Sequence, residues 1–152
     1  MTRFTLLCAV HLFLVRDGKI LMLRRANTGY EDGNYSVPAG HLDGGESVTQ
    51  AMAREAREEA CLAIDPHNLQ VVHVMHRRAA DHERVDFFLT ADTWNGELSI
   101  GEPDKCDALE WFDLERLPEN VVPYVRASIE QFQTKKPFSE FGWKEQTPKI
   151  LR

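Results

Sequence analysis

Residues 40–62 read GHLDGGESVTQAMAREAREEACL, and the placement of the acidic side chains in this stretch decides how the rest of the chain folds around it. Wound at about 3.6 residues per turn, the segment puts Val48, Ala51, Met52 and Ala56 on one side. Glu55 and Glu59 fall on that same apolar stripe, Glu58 lies just beyond Ala51, and Arg54 and Arg57 point away. A carboxylate buried without a partner costs several kcal/mol. Carboxylates clustered on a packing face therefore call for a cation. A hard divalent ion held by oxygen ligands, Mg²⁺ or Mn²⁺, fits that donor set best. The competing reading is a solvated acidic face on a surface helix, which is how most such runs behave.

The residues before the helix weigh against the solvated face. Pro38-Ala39-Gly40 and Gly44-Gly45 bracket a tight loop, and Ser47 stands where an N-cap would. Small residues let a backbone approach a ligand closely, and a helix start offers N–H groups to an anion. A metal and an anion at one loop–helix junction point to a metal-bound phosphate substrate. The segment resembles the Nudix box, G-x5-E-x7-R-E-U-x-E-E-x-G-U with U a bulky aliphatic, and Gly40, Glu46, Arg54, Glu55, Glu58, Glu59 and Leu62 occupy the matching positions.

The resemblance implies Glu55 and Glu59 as primary metal ligands, Glu58 as a third, and the Ala39 carbonyl as a backbone ligand. It implies that Arg54 orients Glu55 or Glu59, and that Gly40 and Glu46 fix the loop. Two positions depart from the pattern. Ala56 is smaller than the usual aliphatic, and Cys61 replaces a glycine at the helix end, which implies a slightly different exit from the helix.

A chain of 152 residues with 43% apolar content is expected to form one domain over residues 1–152, with room for a real core. The net charge of −6 argues against a basic surface for nucleic-acid polymers or anionic membranes. It leaves a small nucleotide substrate open, because bound cations bridge carboxylates and phosphates. Cys8, Cys61 and Cys106 show neither a disulfide framework nor a metal-binding spacing, so a cytoplasmic location is expected. The apolar run after Arg3 is interrupted by His11 and lacks a cleavage site, so it reads as a buried strand rather than a leader.

Strand signals cover roughly 5–15 and 19–25, with a short one near 35–37, and Arg16-Asp17-Gly18-Lys19 reads as a hairpin turn. The box helix is expected over about 47–60. Two strands at 70–76 and 85–94 flank the turn at 79–83, a further strand covers 108–113, and residues 121–133 carry apolar side chains at helical spacing. Two helices flanking a mixed sheet make a three-layer α/β/α sandwich, the fold that the Nudix resemblance also implies. Residues 137–152 contain Phe138, Phe141 and Trp143, which pack either on the body or on a second copy, so monomer and homodimer both stay open.

Outside the box, Gly101-Glu102-Pro103-Asp104-Lys105-Cys106 resembles a segment E-P-[DE]-K-C found downstream of the box in some Nudix nucleoside triphosphate diphosphatases. The resemblance implies a loop glutamate that binds metal or acts as the base, with Glu102 the better match and Asp104 second. The competing reading is an ordinary acidic turn. Glu58 and Glu102 both remain candidates for the general base. His73 and His76 differ by three in a strand and point to opposite faces, which disfavours a shared metal site. Arg77 and Arg78 read as a solvated strand end, with phosphate contact the alternative.

The family reaction implied is substitution by water at a phosphorus of a nucleoside diphosphate linked to another group. ADP-ribose hydrolases tend to carry a proline about 15 or 16 residues past the box, where this chain has Arg77 and Arg78. Ala79 stands where diadenosine polyphosphate hydrolases tend to have tyrosine, and the SQPWPFPxS and LLTxxR signatures are missing. Elimination and the 102–106 segment favour a (deoxy)nucleoside triphosphate, cleaved to monophosphate and pyrophosphate. Two rivals use the same fold. One is a non-catalytic nucleotide or sugar-nucleotide sensor, which would lose box carboxylates. The other is a prenyl diphosphate isomerase, which expects a catalytic cysteine motif.

Overall fold

The computed structural model describes residues 2–144. The order is β1 (Leu7–Leu12), β2 (Val15–Arg16), β3 (Lys19–Arg25), β4 (Tyr35–Ser36), β5 (Ala39–His41), α1 (Val48–Ala60), a 3-10 turn at Pro66–Asn68, β6 (Leu69–Arg78), β7 (Glu83–Ala91), β8 (Cys106–Asp113), α2 (Pro123–Gln133) and β9 (Phe138–Phe141). β5-β1-β7-β6-β9 form a five-stranded mixed sheet, in which β1 runs parallel to β7 and β9 parallel to β6. β2, β3, β4 and β8 form a second, antiparallel sheet in which β3 pairs with all the others.

Side-chain alternation along the strands builds a core on each face. Val10, Leu12 and Leu21 meet Ala51, Met52, Ala56 and Ala60 of α1. Phe13, Ile20, Met22, Met75 and Phe88 meet Val125 and Ile129 of α2. Each helix thus covers one side of the strands, and the α/β sandwich follows from period-2 strands and two amphipathic helices. The long first strand expected over 5–15 is split: Leu14 leaves β1 before the β2–β3 hairpin, whose turn places Asp17 and Gly18 at φ 54 and 74. β9 adds to the outer edge of β6, so Phe138–Phe141 packs on the body, whereas residues 145–152 lie outside the described residues.

Candidate active site

α1 begins with a reciprocal cap. The Ser47 side chain accepts from the Gln50 N–H, and the Gln50 side chain accepts from the Ser47 N–H. Those bonds occupy helix-start groups that the sequence offered to an anion, and the cleft of the molecule lies instead beside the later turns of α1. Gly44 and Gly45, at φ 87 and 75, turn the chain into the cap through a region most residues avoid.

The sequence reading placed Gly40 in a loop, but it sits in β5 and serves a different need. A Cβ there would lie 2.0 Å from Glu55 Oε1, so only glycine lets this carboxylate reach the strand. β5 is the sheet edge. The Leu12 N–H donates to the Pro38 carbonyl at 2.8 Å and the Leu42 N–H to the Cys8 carbonyl at 3.0 Å. Alternation then turns the backbone groups of Ala39 and His41 away from β1. The Ala39 N–H donates to Glu59 at 2.8 Å, and the His41 carbonyl accepts from Arg54 at 3.2 Å. The Ala39 carbonyl shares that free edge.

Arg54 is turned towards the loop before α1 and ties it to the helix. Its guanidinium donates to Glu46 at 2.7 and 3.1 Å and to Glu55 at 2.8 Å, and lies 3.3 Å from Asp43 and 3.4 Å from Glu58. Of the two glutamates it was expected to orient, it touches Glu55. Hydrogen bonding to Glu46 raises the Arg54 pKa and lowers that of Glu46. Glu55 moves the other way: burial raises its carboxyl despite Arg54.

Glu58 and Glu59 are joined in the cleft by Glu102, from the loop that packs on the end of α1. The Gly101 N–H donates to the Glu59 carbonyl at 3.0 Å and the Ser99 N–H to the Ala60 carbonyl at 3.2 Å, so residues 99–101 close the end of α1. A Cβ on Gly101 would lie 1.9 Å from the Glu58 carbonyl oxygen. No residue pattern announces this approach. Cys61 holds a left-handed φ of 59°, with its N–H on the Ala56 and Arg57 carbonyls. The helix therefore exits through the turn glycine would make, not the altered one expected.

These elements enclose a cleft of about 560 Å³ lined by Ala39, Gly40, Glu55, Glu58, Glu59 and Glu102. Its walls carry five carboxylates, with Asp43 the fifth, against Arg25 and Lys105. Burial, with Glu55 and Glu102 nearby, pushes the Glu59 carboxyl up to about 8, although the Ala39 N–H opposes the shift. The donor set is entirely oxygen and its charge is under-compensated, which suits a hard divalent cation. The carboxylates surround the cleft without meeting at a point: among the described residues no three His, Cys, Asp or Glu side chains are close enough to share one ion. Asp104 does not line the cleft, whereas Lys105 and Cys106 do.

One expectation about the strand residues changes. Arg77 is buried at 6% exposure, with Nε 2.7 Å from Asp86, and is no solvated strand end. His73 is fully buried, its ring nitrogens 2.7 Å from the Lys136 carbonyl and 2.7 Å from Ser139 Oγ. It fastens β9 to β6. Arg25 was missed altogether. A register shift at Arg24/Arg25 in the β3–β8 ladder separates it from Arg24, which pairs with Asp107. Bulges of this kind re-aim side chains, and no sequence pattern announces one.

The NUDIX domain family model matches residues 6–132. An ADP-ribose pyrophosphatase of Methanocaldococcus jannaschii is 32% identical over 111 residues, which are 73% of this chain and 64% of that protein. An 8-oxo-dGDP phosphatase of Mus musculus is 31% identical over 70% of this chain and 32% of its own length. This chain therefore spans under two thirds of the length of both curated relatives. The crystal structure of a MutT NUDIX hydrolase from Burkholderia pseudomallei superposes with a TM-score of 0.77 at 30% identity, covering 84% of this chain and 98% of that one. With the box carboxylates gathered at one cleft and the family model covering most of its length, the chain belongs to the NUDIX domain family.

Proposed function

We propose that the chain is a divalent-metal-dependent pyrophosphohydrolase acting on a nucleoside diphosphate linked to another group, first of all a (deoxy)nucleoside triphosphate. The observation that carries this reading is the cleft itself, where Glu55, Glu58, Glu59 and Glu102 face one space beside the free edge of β5. Residues 1–152 are taken as one catalytic domain. No helix of the described residues is long and apolar enough to cross a membrane. The three cysteines are unpaired, which agrees with a reducing cytoplasm.

Glu55, Glu58, Glu59 and the Ala39 carbonyl would hold Mg²⁺ or Mn²⁺, with the carboxylates drawn in from the cleft walls by the cation or divided between two ions. Such an ion offsets the charge on phosphate oxygens, orients them and lowers the pKa of a bound water. The protein's own part is positional. Arg54 holds Glu55 against the loop through Glu46, Gly40 gives Glu55 room, and Ala39 fixes Glu59 through its N–H. Glu58 and Glu102 are the two candidates for accepting the proton of the attacking water. Arg25 and Lys105 are the cations positioned to meet phosphate oxygens that no metal covers. Attack at phosphorus with loss of the bridging oxygen would give a nucleoside monophosphate and pyrophosphate.

A second reading is kept because the archaeal relative is named an ADP-ribose pyrophosphatase. Incubation with a panel of nucleoside triphosphates, nucleoside diphosphates and ADP-ribose in Mg²⁺ decides between them. Pyrophosphate release supports the first reading, and ribose 5-phosphate with AMP supports the second. Glu59→Gln should lower turnover about a hundredfold or more, since a charge is lost from a site ruled by electrostatics. Near-normal turnover would remove Glu59 from the ligand set. No hydrolysis of any of these compounds would favour a nucleotide-binding sensor.

A further inference from the structure

The three residues of β5 shape the carboxylate cleft. The Ala39 N–H holds Glu59 at 2.8 Å, Gly40 makes room for Glu55, and the His41 carbonyl accepts from Arg54 at 3.2 Å. Yet β5 is short, lies at the sheet edge and meets β1 at three register positions. An edge strand has no neighbour on its outer side to fix it. Its hold on the sheet is reinforced by a side chain from a third strand.

That side chain is Arg84 of β7. Asp86, Ala9 and His41 stand abreast across β7, β1 and β5, so they share one face of the sheet, and Arg84, two residues before Asp86, shares it too. Ala9 presents only a methyl group, and Arg84 crosses β1 at this point to place Nη2 2.9 Å from His41 Nε2. Arginine carries donors only, so the imidazole nitrogen accepts. The guanidinium is held from behind as well: Nε lies 3.3 Å from Asp86 Oδ1, and Asp86 is fully buried. Asp86 is fixed in turn by Arg77, whose Nε donates to its other oxygen at 2.7 Å and whose guanidinium lies 3.6 Å over the Tyr124 ring. Ala9, His41, Arg77, Arg84 and Tyr124 line a cavity of about 230 Å³ beside the cleft. The link from β7 to β5 therefore runs along open space, and polar contacts rather than packed side chains maintain it.

We propose that Arg84 and His41 are positioning residues for the metal site: anchored on Asp86, Arg84 fixes His41 and with it β5, so that the strand presents the Ala39 N–H to Glu59 and the His41 carbonyl to Arg54. His41 falls at an unspecified position of the box and Arg84 lies outside it, so the pattern that marks the glutamates marks neither. The inference rests on the reading of the cleft as that of a metal-dependent hydrolase, and its test separates the two.

Calorimetric titration with Mn²⁺ in the absence of nucleotide, amide exchange at Ala39 in the metal-free protein and steady-state kinetics with nucleoside triphosphates test the link. His41 is exposed, so its variants keep the core intact. His41→Ala should weaken Mn²⁺ binding and lower kcat by about tenfold each, the usual effect of removing a group that orients metal ligands. KM should stay unchanged, and the Ala39 N–H should exchange faster while amides of β1 and β7 do not. His41→Gln, whose amide oxygen accepts at similar reach, should restore all of these, whereas His41→Leu, which fills the space without an acceptor, should not. Arg84→Lys keeps the charge beside Asp86 but loses the fork, and should match His41→Ala. The double variant should be no worse than either single one, because both break one link. Unchanged Mn²⁺ affinity and Ala39 exchange in His41→Ala, additive losses in the double variant, or restoration by His41→Leu overturns the proposal. A rise in KM with kcat unchanged overturns it too, since the pair would then touch substrate. If no nucleotide is cleaved, the hydrolase reading fails while Mn²⁺ affinity still decides this one, and Ala39 exchange decides it even where no Mn²⁺ binds.

Discussion

Burial holds the Glu59 carboxyl at about 8 in the folded protein, against an ordinary value of 4.5. A raised carboxylate pKa means that the folded state keeps a proton the unfolded chain has released. The associated stability is present below about pH 4.5 and is lost as pH rises towards 8. His11, which burial lowers to about 4, acts in the opposite sense: its stability is present above 6.5 and lost as pH falls towards 4. The melting temperature of the metal-free protein alone therefore mixes the two. Its difference from Glu59→Gln isolates the glutamate. Relative to that variant, the metal-free protein should lose melting temperature steadily between pH 5 and 8, and a flat difference would show that Glu59 ionises freely. Cys61 gives a second residue-scale test. A side chain held at φ 59° is strained where glycine is not, so Cys61→Gly should stabilise by about 0.5–1 kcal/mol in denaturant unfolding. The box carboxylates were legible because helical spacing alone brought them to one face. Arg25 was not, because a ladder irregularity re-aims it, and neither was the burial of Arg77, which needs Asp86 from another strand.

Two glycines set the geometry between elements, and they differ in what a methyl group would strike. At Gly40 it would meet the end of the Glu55 side chain at 2.0 Å, and at Gly101 the Glu58 backbone carbonyl at 1.9 Å. A side chain can swing aside and a helix backbone cannot. Gly40→Ala should therefore leave the melting temperature nearly unchanged but displace Glu55, lowering kcat and metal affinity. Gly101→Ala should cost about 1–3 kcal/mol of stability, the usual range for overpacking, and lower kcat by moving Glu102. Similar stability losses in both variants would mean that Glu55 is not free to move. Most of the elements were legible for the same reason as the helix stripe: β3, β6–β8, α1 and α2 carry a clear period. The three-residue β5 was not, because Ala39-Gly40-His41 has neither apolar alternation nor β-branched side chains. Its strand character comes from pairing with β1.

At the scale of the molecule, two chambers of opposite character meet across β5: five carboxylates on one side and the Arg77–Asp86–Arg84 cluster on the other. The fold brings them together because β1, whose residues alternate between the α1 and α2 faces, pairs with both β5 and β7. The acidic chamber is left under-compensated, so protons and divalent cations must compete for it. A cation that binds only the folded state stabilises by mass action, in proportion to the logarithm of its concentration above Kd. The proton held by Glu59 below about pH 8 opposes that binding, and burial raises the Glu55 carboxyl in the same direction. The rise in melting temperature produced by Mg²⁺ or Mn²⁺ should therefore grow with metal concentration and be larger at pH 8.5 than at pH 6. Replacing Glu55 and Glu59 together by Gln should remove most of the rise at both values, and should raise the metal-free melting temperature at pH 8.5 by relieving the repulsion. If the double variant keeps the full metal-induced shift, the cation binds elsewhere, and the glutamates of α1 are only a solvated face.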